Sequence, residues 1–326
     1  MTLALTVAGT SQVDSTRRAV AARAQRVGFD EAGAANVGVV AARMASSLVD
    51  KSAKGLLLVN ALAEGDVAGL ELIALDGPAD HAEILAAIAT LVASSDSYPV
   101  PGQRAASMAR LWTRPLPAGD VSSASGIGTI CIPAPGESVC GDGWWAESTA
   151  DRAIIALADG LGHGPVAHQA AQKAMTIARA HNGLKPNALM ALIHEGLHQT
   201  RGAAVLVVEV AWARQTLTCC GVGNIAGTIV TPTDMRGLVS QHGTAGMNKV
   251  RLQEFSYSFP TGALLVLHSD GLKTGWHLDR YPGLVQRQPC LIAAVLYRDF
   301  VRGRDDTTVV VLKGRQALPQ RTPAGS

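Results

Sequence analysis

With 326 residues, 48% of them apolar, the chain is long enough for two domains or one large one and for a substantial core. Charged residues make up only 17%, the formal net charge is +2, and no run is rich in lysine and arginine. That balance excludes bulk nucleic-acid binding and fits a small ligand or a single phosphorylated protein better.

The opening MTLALTVAGT lacks the basic start and long apolar core of a secretory signal. Residues 11–54 read as helical, because apolar positions recur at helical spacing and Asp30 suits an N-cap. GLLLVNAL and GLELIAL follow, joined by AEGDVA, and read as a hairpin. HAEILAAIATLVA reads as a further helix. The segment TRPLPAGDVSSASG, 113–126, is rich in Pro, Gly and Ser and reads as a linker. These boundaries divide the chain into 1–115, a linker 116–126, a second domain 127–315 and a tail 316–326.

The second half starts with strands: GTICIPA, a stretch after GESVCGDGWW, and RAIIALA. Helices are expected at 165–181 and 186–199. The strand-like runs AAVLVVEVA, QTLTCCGV, IAGTIVT, LQEFSYSF and ALLVLHS come next, then a helix PCLIAAVLYRDFV and a last strand TTVVVLK. Periodic helix–strand alternation is missing, so the pattern indicates an α+β layered fold rather than a doubly wound parallel sheet. The five cysteines, Cys131, Cys140, Cys219, Cys220 and Cys290, form no C-x-x-C, which indicates neither a zinc cage nor a disulfide framework. Adjacent Cys219 and Cys220 are expected on opposite faces of one strand. The most apolar run, AAVLVVEVAWA, is short and holds Glu209, so it does not span a bilayer as a helix. A soluble, cytoplasmic protein is expected.

Four acidic sites share one local context. Asp142 sits in CGDGW, Asp159 ends RAIIALAD, Asp270 ends ALLVLHSD, and Asp305 and Asp306 precede TTVVVLK. One Asp-Gly pair at a strand end is an ordinary solvated turn. Carboxylates gathered from four strand ends repel one another unless protons or cations neutralise them. No Cys/His set with metal spacing accompanies them, which favours a hard ion such as Mg²⁺ or Mn²⁺ over zinc. Two such ions would acidify a bridging water and screen a phosphoryl group under attack. Gly160 can lend a bare carbonyl to a metal, and Gly162 and Gly164 let the chain turn into the next helix.

The series GESVCGDGWW, ADGLGHG, GVGN, HSDGL and RDDTTVVV resembles, in order and spacing, the SpoIIE-type bacterial branch of the metal-dependent type 2C serine/threonine phosphatases. The resemblance runs from about residue 125 to 313 and implies an α/β/β/α sandwich with two Mn²⁺ or Mg²⁺ ions at one edge. By motif match the implied metal and catalytic positions are Asp142, Asp159 with the Gly160 carbonyl, Asp270 and Asp305, with Asp306 as the alternative to Asp305. QHGTAGM, 241–247, matches a glycine-rich loop. His163 belongs to the signature, either as a general acid or as a helix-entry residue bonded to backbone. Arg201 is read either as a contact for substrate phosphate or as a solvated side chain. His194 and His198 are read as surface residues. Trp144 and Trp145 are expected near the mouth of the site.

The first half resembles, more faintly, the histidine-kinase-like ATPase fold of anti-sigma-factor serine kinases, a smaller two-layer α/β domain. The nucleotide motifs have decayed. Arg43 and Ser47 stand where such ATPases carry Glu and Asn, and Leu75-Asp76-Gly77-Pro78-Ala79 replaces D-x-G-P-G. The lid region near SSDSYPVPGQRAASMARLW keeps little of the glycine pattern. The resemblances together imply a phosphoserine/phosphothreonine phosphatase acting on a phosphorylated STAS-type anti-sigma antagonist or stress scaffold. The alternatives are a catalytically silent partner-binding regulator and a bifunctional kinase/phosphatase.

Overall fold

The computed structural model describes residues 1–49, 55–77, 82–99, 105–116, 126–247 and 250–315. The linker segment 117–125, the tail 316–326, residues 50–54 and Pro78-Ala79 lie outside the described residues.

The first half begins with β1 (Leu3–Val7), α1 (Thr10–Val27) and α2 (Glu31–Ser47). Asp30 caps α2 as expected, its side chain accepting from the Gly33 N–H at 2.7 Å. Next come β2 (Gly55–Glu64), β3 (Val67–Gly77), α3 (Ala82–Ile88), β4 (Ser94–Tyr98) and β5 (Ala105–Trp112). The β2–β3 hairpin turns at Gly65–Asp66 alone, with Gly65 at φ +56°. The expected helix over HAEILAAIATLVA stops at Ile88. The expected lid supplies two strands instead, β4 and β5, which pair antiparallel. The first sheet runs β1-β2-β3-β5-β4, antiparallel throughout.

Strand alternation sends neighbouring residues of this sheet into two different cores. Leu57, Val59, Leu70, Leu72, Ala74, Ala109 and Leu111 pack against α1 and α2, and the buried Val37, Ala41 and Met44 of α2 recur at helical spacing. Leu58, Ile73, Leu75, Ala106 and Met108 face the other way, onto the second half.

That half holds β6 (Ile127–Ile132), β7 (Asp142–Ser148), β8 (Arg152–Gly160), α4 (Gly164–Ala180), α5 (Pro186–Gly196), β9 (Ala203–Ala211), β10 (Thr216–Val222), β11 (Ala226–Val230), β12 (Met235–Gly237), β13 (Glu254–Ser258), β14 (Leu264–His268), α6 (Pro289–Phe300) and β15 (Thr307–Lys313). The second sheet is β13-β10-β9-β8-β7 and the third is β12-β11-β14-β15-β6. They pack face to face through Leu157, Leu206, Val208, Leu265, Leu267 and Val310. Cys219 enters this inter-sheet core and Cys220 the core under α4 and α5, so the two thiols take opposite faces. All five cysteines are free and buried. Among the described residues no helix is long and apolar enough to cross a membrane.

The expected α/β/β/α sandwich is therefore present, and the first half extends it. Helix α6, buried from Cys290 to Leu296, lies between the first and third sheets within one core. A polar chain closes the same junction. Thr2 Oγ1 donates to Asn60 Oδ1 at 2.7 Å, and the Asn60 amide donates to Glu71 and to the Thr129 carbonyl of β6. Arg110 Nε donates to Glu71 Oε2 at 2.8 Å, with both side chains no more than 5% exposed.

The positions that the fainter resemblance aligns with nucleotide motifs are engaged in the fold. Arg43 donates to the Ala87 carbonyl, Ser47 Oγ to Met44 O at 2.6 Å, and Asp76 stands 3.9 Å from Arg298 on α6.

Candidate active site

The acids meet where the second and third sheets end together. In the second sheet β7 and β8 run antiparallel, and their register sets Asp142 directly opposite Asp159. In the third sheet β14 pairs with β15 so that His268 faces Val309. Asp270 therefore leaves β14 beside the Asp305-Asp306 pair that enters β15, and the Ser269 N–H donates to Thr308 O at 3.1 Å. A cleft of about 170 Å³ opens at this edge, lined by Asp159, Gly162, His163, Asn224, Asp270 and Asp305. Four acids of the motif series thus gather at one sheet edge, although 163 positions separate the first from the last.

Three of the carboxylates are held by partners from elsewhere in the chain. Ser269 Oγ donates to Asp142 Oδ2 at 2.7 Å and accepts from the Thr308 N–H at 2.9 Å, tying one sheet to the other. The Asn224 amide donates to Asp270 Oδ2 at 2.9 Å. Asp306 turns inward. Its Oδ1 accepts from the Ala134 N–H at 2.9 Å, and its Oδ2 would lie 2.5 Å from a Cβ on Gly141. Of the final pair, Asp305 lines the cleft and Asp306 lies in its wall.

Charge accumulates here, and among the described residues none of these acids forms a salt bridge. Burial, reinforced by Asp159, holds the Asp142 carboxyl well above the usual carboxylate range. Burial and then Asp270, Asp305 and Asp306 lift Asp159 to about 7. Asp270 is raised by burial and by Asp305, against the opposing pull of Arg302 and Asn224. Asp142 Oδ1 and Asp306 Oδ2 are buried with no hydrogen-bond partner. Unpaired buried carboxylate oxygens are costly, and a hard divalent cation relieves that cost. Among the described residues no group of three or more His, Cys, Asp or Glu side chains forms a ready-made metal cage. The donors are oxygens spread along an open cleft, which suits an ion that keeps part of its water shell.

Glycine is required at the junction of β8 and α4. A Cβ on Gly160 would sit 2.1 Å from Ala167 O, because α4 presses on the strand end. Gly164 has φ +73°, and a Cβ there would meet the Glu137 carboxylate at 2.7 Å. His163 is the N-cap residue of α4, and its Nδ1 donates to Glu137 Oε1 at 2.5 Å, a carboxylate rather than the backbone partner expected. His168 on α4 donates to the Cys140 carbonyl at 2.7 Å and so fixes the approach to Asp142.

One further expectation holds and one is corrected. His194 is half-buried and His198 exposed, as read from the sequence, and both clamp the glycine-rich loop. The Gly246 N–H donates to His194 Nδ1 at 3.0 Å, and His198 Nδ1 donates to Gly246 O at 3.1 Å. Trp144 and Trp145 lie opposite Leu157 and Ala156, further along the strand, and point to opposite faces. Trp145 packs beneath α4 and Trp144 against the inter-sheet core, and neither lines the acid cleft. Sequence reasoning assigned no role to Ser269, Asn224 or Glu137. All three stand inside the quoted motifs, and that adjacency was the available signal.

The family model for stage II sporulation protein E matches residues 149–315, just over half of the chain. Phosphoserine phosphatase RsbX of Bacillus subtilis (strain 168) is 22% identical over 144 residues, covering 42% of this chain and 69% of the relative. RsbX solved with magnesium superposes with a TM-score of 0.51 at 19% identity, over 58% of this chain and 96% of that one. A structure described under the bacterial stressosome, a modular system adapted to control secondary messenger signaling, gives 0.54 at 25% identity, over 57% and 97%. The phosphatase domain of Bacillus subtilis SpoIIE with a fragment of its regulatory domain gives 0.50 at 16% identity, over 95% of this chain and 94% of that one. The motif order, the layered sheets and the family match agree, and the chain belongs to the SpoIIE family.

Proposed function

We propose that the chain is a divalent-metal-dependent protein phosphatase that hydrolyses phosphoserine or phosphothreonine on a bacterial regulatory protein. The finer assignment of the substrate is a STAS-type anti-sigma antagonist or stress scaffold. The observation that carries the reading is the cleft of Asp159, Asp270 and Asp305, backed by the partnerless buried oxygen of Asp142. The relative RsbX, named a phosphoserine phosphatase and solved with magnesium, supports it.

Asp142, Asp159, Asp270 and Asp305, with the Gly160 carbonyl, would hold two Mn²⁺ or Mg²⁺ ions, and Asp306 would shape the wall behind them. Bound there, the ions supply an acidified water as nucleophile and screen the phosphoryl charge. The protein's own part is positional. Ser269 and Asn224 each occupy one carboxylate oxygen and fix the orientation of the other. Glu137 holds the His163 ring at the cleft lip. The first half would serve as a regulatory and docking module, joined to the phosphatase through α6.

Inorganic phosphate should be released from a phosphorylated STAS protein only when Mn²⁺ or Mg²⁺ is present. No release from any phosphoserine protein at any metal concentration would sink the reading. A companion result concerns pH. The proton that Asp159 retains up to about 7 favours the metal-free fold below the ordinary carboxylate pKa, and this contribution is lost as pH rises through 7. The melting temperature of the metal-free protein should fall between pH 5 and pH 8, and Mn²⁺ should restore it at pH 8. A flat metal-free profile would contradict this account.

A further inference from the structure

Around Gly202 the acid cleft acquires a rim of different chemistry. Arg201 is exposed, and its Nη1 lies 3.3 Å from the place a Cβ on Gly162 would occupy, beside the cleft wall. Arg110, Arg152 and Arg298 are paired with carboxylates, but Arg201 has no hydrogen-bond or ion-pair partner among the described residues. Two large apolar side chains share this rim: Leu161 is 42% and Met247 46% exposed. The Leu161 N–H donates to Gly202 O at 3.1 Å, and Met247 Cγ would lie 3.1 Å from a Cβ on Gly202. Gly202 itself has φ +80°, and a Cβ there would meet Ala245 O at 2.6 Å, so only glycine fits where Arg201, Leu161 and Met247 adjoin the chain.

A phosphate dianion entering a cleft of carboxylates needs a cation on its outer side, and a guanidinium fork matches its oxygens. We infer that Arg201 binds the phosphate of an incoming phosphoserine while Leu161 and Met247 receive an aliphatic side chain next to it. This inference rests on the phosphatase reading and adds the substrate's local chemistry to it.

The test uses the full chain with Mg²⁺ and two phosphoserine peptides that differ only in carrying Leu or Ser beside the phosphoserine. Arg201→Ala should raise KM for both peptides about tenfold, the loss of roughly one charged hydrogen bond. It should weaken inhibition by inorganic phosphate, and calorimetric phosphate binding, by about the same factor, and Arg201→Lys should recover part of each. Met247→Ser should narrow the preference for the Leu peptide. Phosphate binding and inhibition unchanged in a folded Arg201→Ala protein would overturn the inference and leave the phosphatase reading intact. Equal kcat/KM for the two peptides in the wild type would overturn the aliphatic part. Wild-type protein that binds phosphate through Arg201 but hydrolyses neither these peptides nor any phosphoserine protein would uphold the anion site and defeat the phosphatase reading.

Discussion

Asp159→Asn should lower divalent-dependent phosphatase activity by at least about 100-fold, since loss of an outer partner of a metal ligand already costs 10–100-fold. Asp159 lies opposite Asp142 in the strand register, lines the cleft, and is influenced by Asp270, Asp305 and Asp306. An amide keeps the size but removes the charge that a cation needs. The same substitution should raise the melting temperature of the metal-free protein at pH 8, because it relieves repulsion within the cluster. It should also shrink the increase produced by Mn²⁺. A steady-state assay on a phosphoserine protein and paired melting curves check both outcomes. Full Mn²⁺-dependent activity in the variant would remove Asp159 from the site, and a metal-free protein made less stable would contradict the electrostatic account.

Arg110→Met should destabilise the protein by about 3–5 kcal/mol, the usual cost of leaving one member of a buried ion pair alone. Glu71 is 2% exposed and accepts from both Arg110 and Asn60, so the substitution leaves a buried carboxylate without its cation. The double variant Arg110→Met with Glu71→Leu should recover much of the loss, because no unpaired charge then stays behind. The location makes the effect global. The network connects the first sheet to β6, and the apolar core around α6 draws on both halves. Urea unfolding followed at Trp112 in the first half and at Trp276 in the second should give coincident transitions, both shifted by Arg110→Met. Two separate transitions, with the Trp276 midpoint unmoved, would show that the halves fold independently.

Much of this architecture was legible because its signals are local. RAIIALA and TTVVVLK are continuous apolar runs because both faces of their strands are buried, and they became β8 and β15. Asp159 and Asp270 stood out because each ends such a run, and the Asp305-Asp306 pair because it precedes one. β4 was not legible: SSDSY has no apolar alternation, and it is a strand because β5 offers it a backbone ladder. The shared core was foreshadowed by α6. CLIAAVL is apolar on every side, the mark of a helix enclosed all round, but a local pattern does not say by what. The partners of the acids escaped for the same reason. Ser269 reaches Asp142 across 127 positions and Glu137 reaches His163 across 26, distances that no spacing rule anticipates.

The double-sided burial of α6 has an evolutionary consequence. A change of volume at Leu291, Ile292, Val295 or Leu296 must be accommodated by two sheets at once, one contributed by each half. Across relatives that carry both halves, these positions should covary with Leu58, Ile73 and Met108 on one side and with Val266, Val309 and Val311 on the other. Lineages that have lost the first half should show polar residues on the uncovered flank of this helix.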